Sequence, residues 1–307
     1  MKKPINLASR RQEPLLIVIA GPTASGKSQL AVRLAKKFNG EIVSADSRQV
    51  YRNLDIGTGK VTRREMRGAP HHLIDVASPR RQFTVVDFQR RAKKAIQDII
   101  NRGKIPFLVG GSGFWIDAVA HDLLLPAVPP NQALRKRLEK KNVRELLALL
   151  KRRDPQRAAT IERQNPRRLI RAIEIATALG QVPKIKKRSP YRTLWIGLLP
   201  PGRELARRIE AFATKIIRQG LVRETRVIRS RVGRKRVHEF GFEYQAALAY
   251  LTGRISRTEL KDRLTRELLG YARRQMRWFK RNPRIRWLRT AGAAERAVRR
   301  FISERNR

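Results

Sequence analysis

The first apolar segment of the chain, Leu15-Leu-Ile-Val-Ile-Ala20, contains no polar position. A run of that length without alternation is the pattern of a strand covered on both faces. A glycine-rich turn follows, and a helical pattern then occupies about 29–38. Glu41–Ser44 reads as a second short strand, and His72–Asp75 as a candidate third. Thr84-Val-Val-Asp87 has the spacing of a capping box, with Asp where Glu is usual, and opens a helix that runs to about Asn101. Ile105–Val109 is another apolar strand, ending in Gly110-Gly111-Ser112-Gly113. This alternation of strands and helices predicts an α/β fold, a parallel sheet with helices on both faces.

The pattern changes after the first third. Pro126, Pro129 and Pro130 interrupt the chain, and 133–179 is helical in period, polar and strongly basic, until Gly180 and Pro183 end it. Residues 126–190 therefore read as an all-helical insertion between a first core part, 1–125, and the remainder of the core, 191–307. Within that remainder a strand pattern returns at Thr193–Leu199. Helical patterns follow at about 203–218, 222–231, 243–252 and 257–281, and Ile285–Leu288 reads as a last short strand.

Composition sharpens this picture. A chain of 307 residues suits one large domain, or a core carrying an insertion. Lys and Arg number 71 against 25 Asp and Glu, a net charge of +46. Such a charge repels itself unless polyanions neutralise it, and nucleic acid is the obvious polyanion. A chain that simply carries Arg and Lys on every surface would show the same total, and the basic residues are too evenly spread to locate a site. There is no cysteine, which excludes disulfides and thiolate zinc sites, and four histidines make a poor metal centre. The N-terminus has the basic-then-apolar order of a signal peptide. Its apolar run is far shorter than the roughly 20 residues a membrane span needs, and it enters the glycine-rich turn directly. The expectation is a cytoplasmic protein without membrane association, and nothing in the chain requires an oligomer, so a monomer is expected.

Two segments carry chemistry. Gly21, Pro22, Thr23, Ala24, Ser25, Gly26, Lys27 and Ser28 match the phosphate-loop pattern G-x-x-x-x-G-K-[ST] directly after a strand. The glycines let backbone N–H groups close around phosphate oxygens at a helix N-terminus, Lys27 adds a point charge, and the Ser28 hydroxyl can ligate a magnesium ion. This predicts a P-loop NTPase-like sheet. The motif specifies a phosphate chain and leaves open whether that is ATP or another pyrophosphate. The second segment is Ser44-Ala-Asp46-Ser47-Arg48-Gln49-Val50-Tyr51. Asp46 follows the second strand, at the sheet edge where ligands bind in open α/β folds. A carboxylate there is placed to take a proton, and the same residue equally suits a turn or a helix N-cap.

With Leu54-Asp-Ile-Gly-Thr-Gly-Lys60, His71-His-Leu-Ile-Asp75, Ile105-Pro-Phe-Leu-Val-Gly-Gly-Ser-Gly-Phe-Trp115, Asn165-Pro-Arg-Arg-Leu-Ile-Arg-Ala-Ile-Glu174 and Tyr271-Ala-Arg-Arg-Gln275, these motifs fall in an order that resembles the tRNA dimethylallyltransferases of bacterial type along nearly the whole chain. The resemblance implies transfer of a dimethylallyl group from dimethylallyl pyrophosphate, with Mg2+, to N6 of the adenine at position 37, next to the anticodon in the tRNA stem-loop. It implies that the phosphate loop, with Lys27 and Ser28, holds the pyrophosphate and that Asp46 is the general base. Ser47, Arg48 and Gln49 would line the RNA-facing side of that turn, Ser112 would stand near the extruded base, and Arg167, Arg168 and Arg171 would contact the RNA.

Three positions depart from the family pattern. An arginine that helps bind pyrophosphate is replaced by Phe212, with Lys215, Arg207 and Arg208 as nearby substitutes. The Phe240-Gly-Phe-Glu-Tyr244 stretch carries extra residues, and Leu268-Leu269 replaces a Thr-Arg pair. The rival readings are a nucleotide or nucleoside kinase, a prenyltransferase of free adenine nucleotides, and a basic RNA-binding protein with a relic loop. The absence of an arginine-rich lid weighs against the first, the basic insertion against the second, and the intact Gly26-Lys27-Ser28 and Asp46 against the third.

Overall fold

The computed structural model describes residues 13–304; the basic stretch 1–12, part of the signal-like N-terminus, and residues 305–307 lie outside the described residues. Six strands form one parallel sheet: β1 Leu15–Ala20, β2 Gly40–Ser44, β3 His71–His72, β4 Ile105–Gly110, β5 Arg192–Leu198 and β6 Arg286–Leu288. Their order is β3-β2-β4-β1-β5-β6, and every pairing is parallel. The third strand stops at His72 because Leu73 and Asp75 have φ of 64° and 57°, which no strand accommodates.

The continuous apolar run of β1 is explained by what covers it. Leu15, Ile17 and Ile19 pack toward α1 (Lys27–Lys37) and α13 (Ala291–Ser303), against Leu30, Leu34, Val298 and Phe301. Leu16, Val18 and Ala20 pack the other way, against Phe88, Ala92, Ile96 and Ile99 of α3 (Val85–Asn101) and Ile116 and Val119 of α4 (Gly113–Ala120). All six strand residues are buried. Each large aliphatic side chain so covered contributes about 1.5–3 kcal/mol. Helix α3 starts where expected: the Thr84 hydroxyl accepts from the Asp87 N–H, and the Asp87 carboxylate accepts from the Thr84 N–H. A short helix, α2 (Arg63–Met66), has the same device in Thr62 and Glu65.

A further helical layer consists of α9 (Gly202–Gln219), α10 (Leu221–Glu239), α11 (Phe242–Leu251) and α12 (Arg257–Phe279). Ile209, Ile216, Ile228, Tyr244, Leu260 and Leu264 share one buried cluster with Val50, Tyr51 and Leu54. Leu268 and Leu269 join this cluster, so the positions that depart from the family pattern are packing positions here. Helix α10 breaks at Gly233, where φ is 78° and ψ 163°.

The chain divides into two compact units, of which Leu123–Arg188 is one. That unit is a four-helix assembly: α5 (Gln132–Leu138), α6 (Val143–Arg153), α7 (Pro155–Thr160) and α8 (Pro166–Leu179). The single long helical pattern is cut by caps, since Asn131, Asn142, Asp154 and Asn165 each accept a backbone N–H at a helix start. Leu138, Leu146, Leu150, Leu169 and Ile173 form its core. The buried Glu174 carboxylate is held by Arg135 and Arg171.

Glu41, buried in β2, ties one end of the sheet together. It accepts from His72 of β3 at 2.7 Å, and from Arg102 at 2.6 Å and Lys104 at 2.8 Å on the turn between α3 and β4. Burial alone would raise its pKa, but the bonds from Lys104, His72 and Arg102 outweigh that and hold it at about 2. A carboxyl depressed in the folded state stabilises the fold above its ordinary value near 4.5, and this contribution is lost as pH falls toward 2. Glu41→Gln is therefore expected to lower the melting temperature at pH 7 and to flatten the acid limb of the stability profile. Thermal melts of both proteins from pH 7 to 2.5 check this, and an unchanged acid limb would refute it.

Candidate active site

Three turns at the carboxyl ends of neighbouring strands build the site. The phosphate loop follows β1, the Asp46 turn follows β2, and Gly110-Gly111 follows β4, which lies between them. Two interstrand spacings separate β2 from β1, roughly 9–10 Å. The middle turn has no side chains for a steric reason. A Cβ on Gly110 would sit 2.1 Å from the Ala45 carbonyl oxygen, and one on Gly111 would sit 2.1 Å from Gln275 Nε2.

The phosphate loop ends at Gly26, whose φ of 89° makes the left-handed turn into α1. No side chain caps this helix, and its first-turn N–H groups face the position a phosphate takes. Lys27 folds back so that Nζ donates to the Pro22 carbonyl at 3.2 Å. Burial pushes its ammonium below the ordinary lysine range, and the Asp46 charge pulls it back up. On the other side, Asp46 Oδ1 accepts the N–H of Arg48 at 2.9 Å and of Gln49 at 3.3 Å, which orients the carboxylate without a cationic partner. Ser112 Oγ accepts the Ser47 N–H at 3.1 Å and fastens the middle turn to the Asp46 turn. A cavity of about 500 Å³ is lined by Thr23, Lys27, Ser28, Asp46 and Gln49, within the size range of small-ligand pockets.

Comparison with known proteins gives the family of the chain. A family model described as IPP transferase matches residues 49–282. The tRNA dimethylallyltransferase of Thermomicrobium roseum is 39% identical over 280 residues, spanning 89% of this chain and 85% of the relative. The crystal structure of the full-length tRNA isopentenylpyrophosphate transferase from Bacillus halodurans superposes with a TM-score of 0.72 at 37% identity, covering 96% of this chain and 97% of that one. A eukaryotic dimethylallyltransferase acting on tRNA superposes with a TM-score of 0.75 at 25% identity, covering 95% and 80%. The chain belongs to the IPP transferase family.

In this IPP transferase the phosphate loop and Asp46 line one cavity. Arg48 turns away, with Nη1 donating to the Glu239 carbonyl at 2.6 Å. Gln49 Nε2 donates to the carbonyls of Thr58 and Gly59. Arg208, rather than Phe212, reaches the phosphate loop: its Nη1 donates to the Ser25 carbonyl at 3.3 Å, and Glu204 steadies it. Phe212 packs on Gly59, and Lys215 also lines the cavity. Arg167, Arg168 and Arg171 lie on α8 of the helical unit. Arg167 is exposed, Arg168 pairs with Glu162, and Arg171 is engaged with Glu174 and the Val128 carbonyl. Among the described residues no cluster of three or more His, Cys, Asp or Glu could hold a metal, and no helix is long and apolar enough to cross a membrane.

Two acidic residues escape motif reasoning. Glu224 accepts the backbone N–H groups of Asp55, Ile56 and Gly57 at 2.8–3.0 Å and the Tyr244 hydroxyl at 2.8 Å. It thereby holds the loop that carries Thr58 and Gly59 into the cavity. Glu243, in the first turn of α11, is pushed up to about 7 by burial; its own backbone N–H and Arg48 oppose the rise, while Asp46 and Glu267 add to it. Ionising a carboxyl whose folded pKa is raised costs stability. Wild type should therefore lose stability as pH rises from 4.5 through 7, and Glu243→Gln should lack that loss. Thermal melts at pH 5 and pH 8 measure the difference, and parallel declines in the two proteins would refute the assignment.

Proposed function

We propose that this transferase moves a dimethylallyl group from dimethylallyl pyrophosphate to N6 of adenine 37, beside the anticodon of tRNA. The observation that carries this reading is one cavity with a pyrophosphate cradle on one wall and a carboxylate oriented by backbone N–H groups on the other, in a chain whose relatives are tRNA dimethylallyltransferases.

The chemistry follows from the residues. N6 of adenine is a weak nucleophile inside a base stack, so the base must be extruded, at a cost of a few kcal/mol that is smaller in a loop than in a duplex. As N6 attacks the allylic carbon, the N–C bond forms, the C–O bond to pyrophosphate breaks, and its electron pair leaves on the pyrophosphate. The α1 amides and Lys27 stabilise that charge. Asp46 accepts the proton that N6 loses, its Oδ1 being held by the Arg48 and Gln49 N–H groups. The Ser28 hydroxyl lines the cavity and is a hard oxygen donor of the kind Mg2+ takes together with phosphate oxygens, so the phosphate loop fits the ion. Mg2+ bound there would neutralise charge on the pyrophosphate. Ser47 and Ser112, joined by a hydrogen bond, would border the extruded base, and Arg167 and Arg168 on the helical unit would contact RNA phosphates.

Incubation of the protein with Mg2+, dimethylallyl pyrophosphate and unmodified tRNA, followed by nucleoside mass analysis, should yield prenyladenosine on tRNA and none on AMP. Asp46→Asn should lower the rate by about 10²–10⁴-fold, the range for loss of a general base. Prenylation of AMP, or phosphorylation with ATP as donor, would overturn the reading. Because Arg208 and Lys215 stand where the family arginine is missing, Arg208→Ala and Lys215→Ala should each weaken inhibition by inorganic pyrophosphate. Unchanged inhibition constants in both variants would show that neither replaces that arginine.

A further inference from the structure

The two substrate half-sites lie on different strands, and the ladders that join β1 and β2 to β4 end at Ala20–Gly110 and Ser44–Val109, short of Thr23 and Asp46. The turn that lies between them, Gly110-Gly111, has no side chains to brace either neighbour. A side chain from far along the chain reaches this point. Gln275 of α12 is 6% exposed and makes two hydrogen bonds there: Oε1 accepts the Thr23 N–H of the phosphate loop at 2.8 Å, and Nε2 donates to the Gly111 carbonyl at 3.0 Å.

Both ends of the amide are committed, and only one orientation satisfies them. Thr23 N–H is a donor and Gly111 C=O an acceptor, so the amide oxygen must face the loop and the amide nitrogen the turn. The bridge then continues through covalent neighbours. Gly111 precedes Ser112, whose Oγ accepts the Ser47 N–H, and Ser47 follows Asp46. The Ser112 N–H also donates to the Ala45 carbonyl at 3.3 Å. Loop, middle turn and Asp46 turn are thus fastened in series, with Gln275 of α12 supplying its link from outside the three turns.

We propose that Gln275 is a positioning residue that sets the distance and angle between the pyrophosphate cradle and Asp46. It does not touch the reacting atoms. It acts by holding Thr23 and Gly111, and through Ser112 the Asp46 turn, in one geometry, so that the allylic carbon and the adenine amine meet in line. Misplacement of about 1 Å in such a site costs on the order of 10²-fold in rate. The bond to Gly111 is buried and the bond from Thr23 half-buried, so breaking the first leaves an unpaired polar group out of reach of water and makes the bridge stiff. The proposal rests on the transferase reading above.

Gln275→Glu and Gln275→Met test it. Glu keeps the size and the bond from Thr23 but cannot donate to Gly111 when ionised; Met keeps the bulk and loses both bonds. Each variant is mixed in excess with labelled dimethylallyl pyrophosphate and unmodified tRNA in single-turnover experiments, and donor affinity is measured separately by equilibrium binding. The rate constant should fall at least 10-fold in both variants while donor affinity changes less than 3-fold. A merely structural role would lower the reaction amplitude, which counts folded active sites, and leave the rate constant of the surviving molecules unchanged. A rate constant within 2-fold of wild type in both variants overturns the proposal. Should neither variant fold, amide exchange in the unaltered protein decides: Thr23 N–H should be strongly protected, and exchange at the free-peptide rate overturns the bridge. Wild-type protein that transfers nothing to tRNA would instead overturn the reaction assignment, and the exchange measurement would still report on the bridge.

Discussion

A buried ammonium group governs the site. Lys27 sits at the N-terminus of α1 among backbone N–H groups of the same sign of partial charge, and burial disfavours its charged form. Its described partners are one carbonyl, that of Pro22, and the field of Asp46. A pyrophosphate brings the negative charge this corner lacks, so donor binding relieves a cost built into the fold. In the proposed reaction the charge then moves in a useful direction. Asp46 loses its negative charge as it takes the proton from N6, while the departing pyrophosphate gains charge next to Lys27. The lysine keeps an anionic neighbour throughout, and the electrostatic cost of separating Lys27 from Asp46 does not accumulate at the transition state.

Sheet topology makes that exchange possible. With β4 between β2 and β1, the carboxylate and the cradle stand one strand apart. Had β2 and β1 been adjacent, the two turns would have been in direct contact and the carboxylate would have paired with Lys27. The intervening turn must then be narrow, and the 2.1 Å that separates a would-be Gly110 Cβ from the Ala45 oxygen measures how closely it is packed. The missing side chains let Ala45 and Gln275 pack against the middle turn, and Gln275 and Ser112 tie it to its neighbours.

Local features of this architecture are legible in the sequence, and long-range ones are not. Leu15–Ala20 is readable because a strand buried on both faces must be continuously apolar, and Thr84 with Asp87 because a capping box is a four-residue device. The phosphate loop is legible because glycine spacing alone encodes its backbone path. The four caps of the insertion, at Asn131, Asn142, Asp154 and Asn165, were equally open to reading, yet the dense basic pattern around them looks like one helix. Helix α13 has a readable pattern, with Ala294, Val298, Phe301 and Ile302 at helical spacing, while its partners on β1 and α1 lie far away in sequence. Gln275 and Glu224 bond to backbone more than 160 residues distant, and no spacing rule relates a side chain to a turn at that separation. Arg208 is a similar case: the motif pointed to the place of Phe212, and only the fold shows which neighbouring cation reaches the loop.

The excess of positive charge gives Asp46 its significance. In a chain with 71 Lys and Arg, many of the 25 carboxylates are drawn into ion pairs, as at Glu41, Glu174, Glu204 and Glu295. Among the described residues, Asp46 accepts backbone N–H groups alone. An arginine or lysine bound to it would fix the carboxylate as an ion, occupy the oxygens an incoming amine needs, and raise the cost of protonating it. Arg48, the nearest candidate in sequence, is held elsewhere by the Glu239 carbonyl. Keeping one carboxylate out of a direct ion pair is harder in this chain than in a neutral one, and the fold achieves it among the described residues by giving both Asp46 and Arg48 backbone partners.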